Sequence, residues 1–256
     1  MILINSLIIS LVINIGMFIP AYFLKTDKLT DISYAITFVA ISLYGLLSGQ
    51  ISTEKLILFI LIFLWALRLG IYLLVRIRKI GRDKRFDGMR ENFGRFIRFW
   101  LLQGTTVWLI LLPSIFFFQN NIKTNSLLMY IGLIIFFIGL FVETISDIQK
   151  YRFINKSENK GKWIESGLWK YSRHPNYFGE ILLWLGVYFF TLQGLNGLEI
   201  IIGLISPIYI ALLIIFVSGI PMLEKAANKR WGDNPKYQEY RKRTSMLLLL
   251  PQKQNS

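Results

Sequence analysis

The sequence predicts an all-α fold, a polytopic membrane bundle of about seven transmembrane helices. Hydrophobic residues make up 54% of the 256 positions. They come in runs of about 20, which is the length that a helix needs to cross a bilayer core. The predicted spans are 2–24, 32–49, 56–75, 99–118, 127–146, 177–193 and 198–222.

The distribution of positive charge supports this topology. Of the 29 Lys and Arg residues, 26 lie in four segments that seven spans would leave on one side of the membrane. These segments are 25–31, 76–98, 147–176 and the tail from 225. Because basic residues are retained on the cytoplasmic side, the pattern predicts a multi-pass protein with a cytoplasmic C-terminus.

Composition excludes several classes of site. The chain has no cysteine and one histidine, so disulfides, thiolate metal sites and multi-histidine metal sites are not expected. The net charge of +14 follows from the topology, so membrane lipids rather than nucleic acid are the expected partners of the basic loops.

The first span starts without a basic n-region and shows no convincing cleavage site, so we interpret it as a retained anchor.

The first half of the chain contains one notable polar pair. In the third span, Arg68 and Tyr72 are four residues apart and share a helix face. Arg68 could snorkel or pair with an acid, or it could hold a polar substrate head. Tyr72 could equally be a packed aromatic residue.

The loop 76–98 is strongly basic. It could act only as a topology signal that binds anionic lipid headgroups. Asp83, Asp87 and Glu91 are interleaved with its cations, which predicts a folded loop with internal ion pairs.

Two carboxylates lie near the inner end of the fifth span. Glu143 and Asp147 are four residues apart and share a face. Two carboxylates at this distance repel each other unless a cation or a hydroxyl-rich ligand separates them. Binding of a ribose or an amide is one reading, and pairing with nearby basic residues is the other.

The stretch 167–180, GLWKYSRHPNYFGE, links two apolar spans and holds the only histidine. Pro175 suits the first turn of a helix, so Arg173 and His174 would lie at a positive helix N-terminus. That arrangement attracts a phosphate-bearing ligand. Asn176 and Glu180 are four residues apart and project from one face of the new helix. A structural ion pair is the alternative role for Glu180.

The tail is predicted to be partly helical. Residues 224–245 have helical character with a break at 232–235, and they include Tyr240 and Arg243. This segment could close over a cofactor or lie on the membrane as an amphipathic helix. The apolar run 246–250 is too short to span, so it dips into the interface or packs on the bundle. The sequence has no Gly-x-Gly-x-x-Gly unit after a strand and no Walker-type loop, so any dinucleotide would be held by helices and loops.

These motifs together resemble a known family. The stretch GLWKYSRHPNYFGE is similar to the signature of the steroid 5-alpha-reductase C-terminal superfamily, and its nearest branch is DUF1295. The same branch typically shows segments like FVETISDIQK (141–150), SGIPMLEK (218–225) and YQEYRKRTS (237–245), all present here in order. The likeness covers roughly residues 60–251, and it extends upstream to Arg68 and to the loop at 83–86.

The resemblance implies a bundle that binds NADPH from the cytoplasmic side and reduces a carbon–carbon double bond conjugated to a carbonyl in a lipid-soluble substrate. Residues 1–126 would form a substrate half and 127–256 a cofactor half, in the inner membrane of a bacterium. Tyr72 would act on the substrate carbonyl as the catalytic residue, with Arg68 one turn away. The expected cofactor-binding residues are Glu143, Asp147, Arg152, Arg173, His174, Asn176, Tyr177, Glu180, Glu224, Tyr240 and Arg243.

The chain departs from the steroid reductases in three ways. Glu143 stands where they have asparagine, no second-span glutamate matches the one that polarises a steroid ketone, and Arg82 and Phe86 replace the ends of the basic-loop motif. These departures argue against a steroid substrate more than against the fold.

Two alternative functions stay open. Methyltransferases of the same superfamily share the Arg-His-Pro-x-Tyr block, bind S-adenosylmethionine and tend to carry paired glutamates with an upstream arginine after the last span. Here Glu224 stands alone, followed by Lys225, which favours the reductase. The second alternative is a membrane scaffold that keeps the fold without chemistry.

Overall fold

The described chain is helical throughout. A computed structural model describes residues 1–80, 86–122 and 126–252, with the side chains of 76–80 outside that description. Within these ranges there is no strand, and an isolated bridge joins Ser172 to Ser245. The all-α prediction is therefore confirmed. The helices are α1 (Ile2–Phe23), α2 (Lys28–Leu47), α3 (Thr53–Ile80), α4 (Phe93–Ile110), α5 (Leu112–Gln119), α6 (Leu127–Ile154), α7 (Pro175–Thr191), α8 (Leu198–Gly203), α9 (Ile205–Leu212), α10 (Ile220–Trp231) and α11 (Pro235–Arg243).

Several helices are suited to crossing a membrane. In the described residues, five stretches are long and apolar enough: Ile2–Phe23, Lys28–Leu47, Thr53–Val75, Leu127–Ile154 and Leu198–Trp231. The pair α4 and α5 makes a sixth if the two are counted as one bent span. The remaining predicted span, 177–193, corresponds to α7, whose 17 residues lie at the short end of the range of about 17–25 for a spanning helix. The chain is a multi-pass membrane protein.

Two predicted spans are interrupted. The span 99–118 bends by 52° between α4 and α5. Pro113 lies in the first turn of α5, where a proline cannot continue the hydrogen bonds of the preceding helix. The last span contains a π-helical turn, Leu213–Val217, and α10 then extends to Trp231, beyond the predicted end at 222. This extension puts Glu224 on a helix.

The first of two compact units comprises residues 1–129 and 190–206. In it, α1, α2 and α4 pack through small polar residues. The Asn14 side chain donates to the Ser10 carbonyl (2.8 Å) and to Thr37 Oγ1 (3.1 Å). Gln103 Nε2 donates to Asn14 Oδ1 (2.9 Å) and to Ser33 Oγ (2.7 Å). Hydrogen bonds between helices replace water for these buried groups.

The same unit holds a buried ion pair. Arg90 is 1% exposed, and its Nε lies 2.7 Å from Asp27 Oδ1. Its Nη1 lies 2.9 Å from Asp87 Oδ1, so an internal pair in the basic loop is confirmed. Arg82 and Asp83 lie outside the described residues.

The second unit comprises residues 130–189 and the chain from 207 onward. It contains nearly all of α6 and α7 together with α10 and α11, and every residue of the candidate site below belongs to it.

Candidate functional site

Glycines bring α6 and α7 into close contact. A Cβ on Gly179 would lie 2.6 Å from the backbone nitrogen of Glu143 and 2.7 Å from the carbonyl oxygen of Gly139. A Cβ on Gly186 would lie 2.5 Å from the backbone nitrogen of Phe136. Only glycine permits this approach, because the atoms it meets are backbone atoms that cannot rotate away. The contact sets the charged end of α6 beside the start of α7.

The loop before α7 is fastened to that charged end. Trp169 Nε1 donates to the Ser146 carbonyl (3.1 Å), and the backbone N–H of Leu168 donates to Gln149 Oε1 (3.0 Å). Lys150 Nζ lies 4.8 Å from the centre of the Trp169 ring, within range of a cation–π interaction. These contacts fix the position of the residues that follow, including Arg173 and His174.

The C-terminal segment also forms hydrogen bonds with the loop before α7. The backbone N–H of Arg173 donates to the Ser245 carbonyl (2.8 Å), and Ser172 Oγ donates to the Leu247 carbonyl (2.7 Å). Tyr240 on α11 donates its hydroxyl proton to the Trp169 carbonyl (2.9 Å). Residues far apart in sequence thereby make one rigid frame.

Glu224 lies at the centre of a charge cluster. Its carboxylate pairs with Arg173 Nη1, accepts from His174 Nε2 (2.8 Å) and lies 3.6 Å from Arg241 Nε. The His174 ring also stacks on Tyr177, with centroids 5.8 Å apart and planes 22° apart. Three predicted cofactor-binding residues are thus bonded to one another.

A cavity of about 260 Å³ adjoins this cluster. Its wall carries more positive than negative side chains: Lys150, Lys162, Arg173 and Arg230 against Glu224. Three aromatic rings form one side. Trp163 lies 5.2 Å from Tyr237 and 6.1 Å from Trp231, centroid to centroid. Such a wall fits a ligand that combines negative charge with a flat ring.

Protonation states follow from burial. Burial lowers the pKa of His174 below its ordinary value of 6.5; the hydrogen bond to Glu224 opposes this shift, and the positive charges of Lys150 and Arg173 add to it. A carboxylate can only accept, so Nε2 carries the proton and Nδ1 of the neutral ring keeps a lone pair. Burial raises the pKa of Tyr237 and of Tyr240, so both phenols remain hydrogen-bond donors.

Several buried polar atoms in this unit have no hydrogen-bond partner among the described residues. They include His174 Nδ1, Asn176 Oδ1, Arg173 Nε and Trp163 Nε1. His174, Arg173 and Trp163 also line the cavity. Buried polar atoms normally find a partner, so a group of exceptions at a cavity indicates where a ligand can bind.

The structure brings together some of the predicted residues. Arg173, His174, Glu224 and Tyr240 line the cavity. Glu143 and Asp147 are buried on α6, and Asn176, Tyr177 and Glu180 lie in the first turns of α7. Other predicted residues lie elsewhere. Arg152 is exposed at the end of α6, Arg243 lies 3.4 Å from Glu165, and Arg68 and Tyr72 belong to the first unit.

Sequence reasoning missed much of the cavity wall. Trp163, Trp169, Trp231 and Arg230 were not predicted. A signal was present, because Trp163 and Trp231 each stand among polar residues in segments with no other reason to hold tryptophan.

Comparison with known proteins gives one match. The family model described as "Protein of unknown function (DUF1295)" matches residues 17–244. Searches of curated proteins and of solved structures gave no match. The matched range covers most of the chain and includes α6, α7, α10 and α11. The chain therefore belongs to the DUF1295 family.

Proposed function

We propose that the protein is a membrane-embedded, NADPH-dependent reductase that acts on a double bond conjugated to a carbonyl in a lipid. The observation that carries this proposal is the cavity of the second unit, in which three cations (Lys150, Lys162 and Arg230) and a wall of aromatic rings adjoin the Arg173–His174–Glu224 cluster. The resemblance assigns cofactor binding to the same cluster.

The charge of the cavity favours NADPH over S-adenosylmethionine. NADPH carries several negative charges on its phosphates, whereas S-adenosylmethionine carries a positive sulfonium. The wall has four cations, and its acid, Glu224, is already paired with Arg173 and His174. Lys150, Lys162 and Arg230 therefore meet a phosphate more favourably than a sulfonium.

The size of the cavity suggests which end of the cofactor it takes. At about 260 Å³ it is smaller than the ~300–1,000 Å³ typical of whole ligand sites. We assign it to the phosphate-bearing adenosine end, with the base against Trp163 or Trp231. His174 Nδ1 would accept a hydrogen bond from the ligand, and Trp163 Nε1 would donate one.

The catalytic assignment stays with Tyr72 and Arg68 in the first unit. When bound, NADPH supplies a hydride to the β-carbon of the substrate. The Tyr72 hydroxyl would donate a hydrogen bond to the carbonyl oxygen and stabilise the negative charge that develops there. Arg68, one turn away on α3, would add positive charge beside that oxygen.

A thermal-shift titration of the purified protein with NADPH, NADH and S-adenosylmethionine tests the proposal. A ligand that binds only the folded state raises the unfolding midpoint by mass action. We expect NADPH to raise it, and we expect Lys162→Gln and Arg230→Gln each to weaken NADPH binding about tenfold, roughly the 1.4 kcal/mol of one charge-assisted hydrogen bond.

Lys160→Gln is the matched control. Lys160 has the same charge, lies two residues from Lys162 and does not line the cavity, so its loss should leave NADPH affinity unchanged. A shift with S-adenosylmethionine alone would overturn the proposal in favour of methyl transfer. No shift with any of the three ligands would favour a scaffold.

A further inference from the structure

The C-terminal segment 246–250 has an apolar face that is about half exposed. Met246 is 39% exposed, Leu248 50% and Leu250 48%, whereas Leu247 and Leu249 between them are less exposed. Exposure therefore alternates along the segment, and three large apolar side chains are presented outward.

Backbone hydrogen bonds fix this segment to the loop before α7. Ser245 and Leu247 accept bonds from Arg173 and Ser172, and the N–H of Leu250 donates to the Tyr171 carbonyl (3.3 Å). Tyr171 itself is 42% exposed. The apolar face is thus a fixed part of the surface of the second unit.

The contacts of the loop before α7 with α6 indicate how deep that loop lies in the bilayer. Trp169 and Leu168 bond to Ser146 and Gln149 on α6. Ser146 is the twentieth residue from Leu127, where α6 begins. Twenty helical residues rise about 30 Å, which equals the thickness of a bilayer hydrocarbon core. From this length we expect the loop, and the segment bonded to it, near the level where the apolar core gives way to headgroups.

Charge next to the segment suits such a position. The last turn of α11 carries three cations directly before the apolar face. Arg241 lies near Glu224 and Arg243 near Glu165, whereas Lys242 is exposed. Basic residues beside exposed apolar side chains bind a membrane surface that carries anionic lipids. Tyrosine is enriched at the same depth, which fits the exposed Tyr171.

We propose that residues 246–250 are an interfacial lipid anchor, with Met246, Leu248 and Leu250 inserted at the headgroup–acyl boundary and the exposed Lys242 on anionic headgroups. Because the carbonyls of Ser245 and Leu247 accept hydrogen bonds from Arg173 and Ser172, respectively, the anchor would also hold the loop that carries the charge cluster at a fixed depth. This proposal is independent of which cofactor the cavity takes.

A nitroxide scan tests the anchor directly. The chain has no cysteine, so single cysteines at 246 to 250 can be labelled without removing native ones. The full chain would be placed in nanodiscs of phosphatidylcholine and phosphatidylglycerol, and collisions of each label with oxygen and with a water-soluble nickel chelate would be measured by electron paramagnetic resonance. Lys160→Cys, in an exposed loop, serves as the water-exposed control.

We expect labels at 246, 248 and 250 to collide with oxygen several-fold more, relative to nickel, than the label at 160, and labels at 247 and 249 to be shielded from both. Equal nickel collisions at 248 and 160 would overturn the proposal. So would spin–spin broadening at 248, which would mean that a second copy of the chain covers the face. An unchanged unfolding midpoint of each labelled variant guards against misfolding as a cause.

Discussion

Two networks of buried polar groups, one in each unit, differ in how completely their members are hydrogen-bonded. In the first unit, Asn14 donates to Thr37, and Thr37 donates to the Ser33 carbonyl. Gln103 completes this network by donating to Asn14 Oδ1 and to Ser33 Oγ. In the second unit, Arg173 and His174 meet Glu224, yet each keeps a buried nitrogen without a partner among the described residues. A closed network joins helices. A network that leaves donors and acceptors at a cavity is prepared for a ligand.

The largest expected effect comes from disrupting the contact between α6 and α7, which positions the charge cluster. Gly179→Ala would insert a Cβ within 2.6 Å of the Glu143 backbone and force α6 and α7 apart. We expect a loss of about 1–3 kcal/mol in the free energy of unfolding and a lower affinity for NADPH. Thermal unfolding of the purified protein measures the first effect, and the titration described above measures the second.

Gly16→Ala is the matched control for that experiment. Gly16 also lies inside an apolar helix, but a Cβ there meets nothing within 4 Å. Alanine favours a helix over glycine by up to about 1 kcal/mol, so this variant should be unchanged or more stable. Equal midpoints for the variants at 16 and 179 would contradict the close contact of α6 with α7.

A second pair of variants compares the two networks directly. Gln103→Ala removes the donor to Asn14 Oδ1 and Ser33 Oγ, so it should cost about 1–3 kcal/mol of stability and leave NADPH affinity unchanged. Asn176→Ala removes an oxygen without a described partner, so it should change stability little and weaken NADPH binding. The reverse result, with the stability loss at 176 and the binding loss at 103, would refute the distinction.

The smallest expected effect is a pH dependence that His174 confers. Its pKa is lowered in the folded protein, so the unfolded chain takes up the proton first as the pH falls. The contribution of this residue to stability is therefore constant well above about pH 6.5 and decreases as the pH drops toward the folded pKa. As the pH is lowered through this range, the unfolding midpoint should fall more steeply for the wild-type protein than for His174→Gln, because glutamine does not titrate. Parallel curves would show that the histidine is not the responsible group.

The sequence predicted the uninterrupted helices better than the span that bends between α4 and α5. Long apolar runs are sufficient to identify α1, α2 and α3, because burial in lipid requires every backbone bond to be made within the helix. The bend before α5 was missed although Pro113 marks it, since the apolar run continues through the bend. Hydrophobicity alone does not report where a spanning segment changes direction.

The candidate site was predicted only in part, for a physical reason. Arg173, His174 and Glu224 were each assigned to a ligand, but their pairing joins residues some 50 positions apart. That pairing depends on how α7 and α10 pack, and no local pattern encodes it. The same is true of Trp163 and Tyr237, which become one wall only when the tail folds back.

The bridge between Ser172 and Ser245 bears on the order of synthesis. The loop before α7 leaves the ribosome long before its partner, because Ser172 and the Leu247 carbonyl it binds are 75 positions apart. Until then the loop lacks the bonds that hold Arg173, while apolar helices on both sides are already entering the bilayer. Contacts between distant segments form late. The charge cluster is therefore complete only after the C-terminal segment has been made, and a stall or cleavage before residue 245 would yield an inserted protein whose loop before α7 lacks these bonds.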